Sequence, residues 1–148
     1  MNIQTKYHGE IKVNEQEIWH FEKGLPGFPD EKQFVLLPLP NNDVFMILQA
    51  VQTPYIAFVI TNPFLTFKDY EFKIDDSTLE QLKLESEKDV AVYSILTVKD
   101  PFVDTTINLQ APLIFNVKNH QAKQMILNDS PYHTKHLLFQ HAQEPVKE

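Results

Sequence analysis

Three histidines near the end of the chain, His133, His136 and His141, are the first residues whose type and spacing suggest chemistry. Imidazoles three positions apart share a face only on a helix, and Pro131 in a polar stretch argues against one, so the bland alternative is a set of solvated tail histidines. Asp129, Ser130 and His133 supply the residue types of a hydrolytic triad. They are almost adjacent in the chain, whereas a working triad draws its members from separate rigid elements and adds an oxyanion hole. Asp69 and Glu71 would share one face of a strand, as an acid–base pair requires, but a solvated polar face is the favoured explanation. Acidic residues at 75, 76, 85, 87 and 89 suit the positive end of a short helix.

The elements that would carry these groups read as β-structure. Alternation at Ile3, Thr5 and Tyr7, resumed after Gly9 at Ile11 and Val13, has the period of a half-buried hairpin. Short strands are predicted over 18–21, 34–39, 45–51, 57–61, 70–74 and 89–98, then over 105–117 and 123–127. Pro112 cannot donate to a ladder, so an edge or a bulge is expected beside it. Pro26 and Gly27 fit the central positions of a type II turn, and two of the chain's three glycines lie in that loop. Ser77 three residues before Glu80 has the form of a capping box and predicts one short helix, with a second turn after Ser86. The fold class is therefore all-β: a small antiparallel β-barrel-like or sandwich domain with one or two short helices. Residues 1–138 form a single domain and 139–148 a mobile tail, as chain ends commonly are.

Composition removes whole classes of function. The chain has 148 residues, 13 lysines with no arginine, 20 acidic residues, no cysteine and a formal net charge of −7. Without cysteine there is no disulfide frame, thiol nucleophile or cysteine-bound metal, and no cofactor is expected. Arginine is the usual bidentate reader of phosphates and guanine edges, so its absence together with the acidic balance argues against direct nucleic-acid binding. The three glycines leave no phosphate-binding loop. No signal peptide and no membrane-spanning run is legible, which predicts a cytoplasmic protein.

The segment after the 57–61 strand is unusually aromatic for a connection: Asn62, Pro63 and Phe64 lead through Phe67 to Asp69, Tyr70, Glu71 and Phe72. Either it folds back onto the core, or it is an exposed patch for a partner.

A resemblance bears on that choice. The run Phe21-Glu22-Lys23-Gly24-Leu25-Pro26-Gly27-Phe28, the strand at 34–39, Ala57-Phe58-Val59-Ile60 before Asn62-Pro63-Phe64, Asp69-Tyr70-Glu71-Phe72, Asn108-Leu109-Gln110-Ala111-Pro112-Leu113 and Lys123-Gln124 with Asp129-Ser130 occur in an order that resembles the FliW family of flagellar assembly factors. The resemblance implies a barrel-like, non-enzymatic partner switch that binds flagellin and antagonises the RNA-binding translational regulator CsrA, with no small-molecule substrate. A small-molecule-binding β-barrel is the alternative. In the family's usual ending, arginines stand where this chain has Pro131 and Lys135; Lys135 keeps a point charge but not a bidentate contact. The partner surface expected from the aromatic excess and the proline-broken ladder comprises Asn62, Pro63, Phe64, Asp69, Tyr70, Glu71 and Pro112.

Overall fold

A computed structural model describes residues 1–39, 42–128 and 130–139, with Asp43 by its backbone alone. The strands are β1 (Asn2–Gln4), β2 (Glu10–Lys12), β3 (Trp19–Phe21), β4 (Gln33–Leu39), β5 (Asn42–Ala50), β6 (Ala57–Thr61), β7 (Val90–Thr97), β8 (Thr106–Ile107), β9 (Leu113–Asn116), β10 (Gln121–Gln124) and β11 (His136–Leu137), with one helix, α1 (Asp76–Leu82). Among the described residues, β3, β4, β5, β6, β7, β9 and β10 close into a seven-stranded barrel, because β7 pairs with both β6 and β9. All pairings in it are antiparallel except that of β10 with β3. Beyond Ile95, β7 leaves the barrel and pairs through Leu96 and Thr97 with β8, which pairs with β11.

Strand alternation sorts the side chains into an inner core and two outer layers. Trp19, Phe21, Phe34, Leu48, Ile60, Leu113 and Phe115 fill the barrel. Phe115 receives Trp19, Phe21 and Tyr93 edge-on at centroid distances of 4.7, 5.7 and 5.1 Å, the geometry that ring quadrupoles favour. A barrel of this size is filled by its own side chains.

The opposite faces of β7, β8 and β9 carry an outer layer of Leu96, Ile107 and Ile114, roofed by Tyr70, Leu82 and Leu138. A smaller layer forms where the β1–β2 hairpin lays Ile3 and Val13 on Val35. Gln49, fully buried, anchors that hairpin: its Oε1 accepts from the Lys6 N–H at 3.0 Å, and its Nε2 donates to the carbonyls of Ala50, Pro54 and Ile56. A buried amide of this kind is tolerated because each polar atom is matched.

Several sequence expectations need correction. The predicted strand at 70–74 is not one, since Tyr70 is drawn into the outer layer and the Glu71 N–H donates to the Tyr132 hydroxyl rather than to a ladder. The cap of α1 is Asp75, which accepts from the Thr78 N–H at 2.7 Å, so the capping box at Ser77 is wrong by two residues. Ser86 does cap a second turn, Glu87–Asp89. The strand expected over 105–117 divides at Pro112 into β8 and β9, and Pro112 begins no edge: it is buried, and its carbonyl accepts from the Met125 N–H at 2.9 Å. The strand expected over 123–127 is β10, at 121–124. The polar stretch around Pro131 is not a solvated tail throughout, because β11 forms just beyond it and Leu138 is buried. Of the tail expected over 139–148, Phe139 packs against Phe102 at 5.4 Å, and 140–148 lie outside the described residues.

The glycine-containing loop is as constrained as its composition suggests. Gly24 has φ +65, and a Cβ there would stand 2.5 Å from the Phe28 carbonyl oxygen and 2.6 Å from that of Pro29. Gly27 has φ +85, as the third residue of a type II turn requires.

Candidate partner-binding surface

Asn62 follows β6 and caps the 3-10 turn Pro63–Leu65, its Oδ1 accepting from the Phe64 N–H at 2.9 Å. Pro63 occupies the first position of that turn, where its missing N–H costs nothing, and it is buried. The turn holds Phe64 and Leu65 outward, 38% and 58% exposed. Two adjacent apolar side chains held this way on a capped turn form an apolar projection fixed by its backbone.

Behind it the chain doubles back. The Phe67 N–H donates to the Pro63 carbonyl at 2.9 Å and the Tyr70 N–H to the Phe67 carbonyl at 3.0 Å, directing the Tyr70 ring into the outer layer. Only 4% exposed, Tyr70 packs against Phe64 at 5.5 Å, Phe72 at 5.3 Å and, edge-on, Tyr132 at 4.7 Å. Burial pushes its phenol far above the ordinary range, aided by the neighbouring Tyr132, so it remains a donor.

A groove of about 420 Å³ opens beside it, lined by Phe67, Tyr70, Leu109, Tyr132 and His136 and flanked by Thr66, Lys68 and Asp69. Its walls are mostly aromatic and its rim is charged with both signs, the composition of a protein-recognition patch.

Comparison with known proteins decides the family. The family model described as FliW protein matches residues 2–138. This chain belongs to the FliW family. It is 56% identical over 139 residues to the flagellar assembly factor FliW of Geobacillus thermodenitrificans (strain NG80-2), covering 94% of this chain and 96% of that one. To the FliW of Bacillus subtilis (strain 168) it is 50% identical over 136 residues, covering 92% and 95%. A crystal structure of the flagellar assembly factor FliW superposes with a TM-score of 0.89 at 54% identity, over 93% of this chain and 96% of that chain.

Within this FliW frame, six of the seven expected surface residues cluster. Asn62, Pro63 and Phe64 build the projection, Asp69 flanks the groove, Tyr70 floors it, and exposed Glu71 follows. Both readings of the aromatic connection apply to different residues: Tyr70 belongs to the core, while Phe64 is partly exposed. Pro112 stands apart in motive, because the free ladder edge expected there does not exist.

Sequence reasoning named Phe67 only as part of the aromatic connection and did not place Leu109, Tyr132 or His136 at this surface. The apolar run Leu137-Leu138-Phe139 in a polar tail was the available signal that this stretch returns to the core. The His133 and His136 rings stack at 5.3 Å, and among the described residues no three side chains group as metal ligands; His141 and Asp129 lie outside those residues. Among the described residues no helix is long and apolar enough to cross a membrane.

Proposed function

We propose that this chain is a cytoplasmic, non-enzymatic flagellar assembly factor that binds flagellin and the translational regulator CsrA as alternative partners. Accumulated flagellin occupies the protein and leaves CsrA free to repress flagellin translation; once flagellin is exported, the released protein antagonises CsrA. The observation that carries this reading is the family match over nearly the whole chain, joined to a partly exposed apolar projection on a capped turn.

Charge supports it. A net charge of −7 steers a basic RNA-binding protein toward the surface and speeds encounter. Once docked, its carboxylates repel RNA phosphates within a Debye length of about 8 Å at physiological salt, so inhibition does not require covering the RNA site. If one molecule cannot hold both partners, their affinities are reciprocally linked. We assign the partner surface to residues 62–71 with the adjoining groove. The alternative of a ligand-binding barrel is disfavoured by the packing of Phe21, Phe34, Leu48 and Phe115 inside it.

The test is co-elution of the purified protein with CsrA followed by titration with flagellin. A CsrA complex that flagellin dissociates is the expected result; failure of both partners to shift the protein overturns the reading.

A further inference from the structure

Residues 130–139 cross the outer layer as a strap. The Tyr132 hydroxyl accepts from the Glu71 N–H at 3.1 Å, the His133 carbonyl accepts from the N–H groups of Leu109 and Gln110 at 3.1 Å each, and the Leu138 N–H donates to the Thr105 carbonyl at 3.0 Å. Between these anchors β11 pairs His136 with Ile107 and Leu137 with Thr106, and Leu138 is inserted into the core at 3% exposure.

One contact inside the strap depends on protonation. The His133 backbone N–H donates to His136 Nε2 at 2.7 Å. A backbone N–H can only donate, so Nε2 must offer a lone pair, which leaves the imidazole neutral with its proton on Nδ1. Adding the second proton turns the acceptor into a donor facing a donor.

We propose that this strap is held closed by the neutral imidazole of His136 and that a single proton releases it. The groups around the ring decide where this happens. The turn before Tyr70 brings Phe67, 6.4 Å away, and places Lys68 and Asp69 around the groove that His136 lines; the strap itself supplies Tyr132 at 6.3 Å and His133 at 5.3 Å; β8 and its extension contribute Ile107 and Leu109, which are uncharged. Lys68 and Asp69 bring opposite charges to the groove, and a charged His133 opposes protonation of His136. Burial, and then His133, hold the affinity of His136 for a proton below the ordinary imidazole value.

The sign follows. The closed strap binds the proton less tightly than the open one, so closure is fully favoured above the ordinary imidazole value of about 6.5 and is lost as pH falls through the depressed value of the closed form. The groove loses its Tyr132–His136 wall in the same step. This device stands independently of which partner uses the groove.

Nitrogen chemical shifts of the His136 ring in the intact protein at pH 8 test the latch without any substitution: the Nδ1–H tautomer is expected, and an Nε2–H tautomer overturns the proposal. Amide hydrogen exchange at Leu109, Gln110 and Leu138, corrected for intrinsic rates, then reads the opening. Protection should fall by about tenfold for each unit by which closure depresses the pKa, as pH drops from 8 to 5. His136→Gln, whose Oε1 accepts the same N–H without titrating, should abolish that step, and His133→Gln should retain it. A step that persists in His136→Gln, or protection unaffected by pH in the unsubstituted protein, overturns the proposal.

Discussion

The Tyr70 hydroxyl donates a 2.8 Å hydrogen bond to the carbonyl of Leu109, 39 residues away. This bond ties the connection after β6 to the stretch between β8 and β9, and Tyr132 packs edge-on against the same ring. One phenol thus joins the projection, the groove and the C-terminal strap. Tyr70 supports the surface from below, and Phe64 and Leu65 present it.

Tyr70→Phe keeps the ring and removes one buried bond. Urea unfolding should show a loss of about 1 kcal/mol. Tyr70→Ala also removes the packing against Phe64, Phe72 and Tyr132, and about 3–5 kcal/mol is expected. Lost partner binding in the alanine variant would then report a collapsed floor, so that variant is a poor probe of contact.

The two glycines at φ +65 should respond differently to substitution. Gly9→Ala adds a Cβ into open space and carries only left-handed strain, about 1 kcal/mol. Gly24→Ala meets two backbone carbonyls in addition, and a loss well above 2 kcal/mol is expected. Thermal melts of the pair separate conformational strain from steric collision. Equal shifts would mean that the 24–29 loop yields at little cost.

Asp75 caps α1 through the Thr78 N–H, and its contact with Thr78 holds its carboxyl below the ordinary range. A depressed folded pKa contributes stability above the unfolded value, and this is lost as pH falls through the folded one. Asp75→Ala should cost about 1 kcal/mol at neutral pH. The difference from the parent should shrink in acid, as chemical denaturation at pH 7 and pH 3 would show. A difference that grew in acid would contradict the cap assignment.

How much was legible depended on whether local pattern or long-range packing made the decision. Strand β6 stands at 57–61 as its length and flanking turn residues predicted, and the Pro26–Gly27 turn follows from local torsions. The segment 70–74 has strand composition yet lies unpaired, because its apolar residues answer to a layer built from β7, β8 and β9 far along the chain. Pro112 misled for a related reason: it interrupts the predicted strand, but its surroundings are closed by β10 on one side of β9 and β7 on the other. In the candidate surface, the projection was readable from Asn62-Pro63-Phe64. The groove was not, since Tyr132 and His136 reach it only after the chain has wound through the barrel.

The central claim is that partners dock on residues 62–71. Phe64→Ser combined with Leu65→Ser removes the exposed apolar projection while leaving Asn62, Pro63 and Tyr70 intact. Both side chains are substantially exposed, so stability should change little, within about 1 kcal/mol by thermal melt. Calorimetric titration of this folded variant with CsrA, and separately with flagellin, should show at least one affinity weakened by about tenfold or more. Wild-type affinity for both partners would contradict the account.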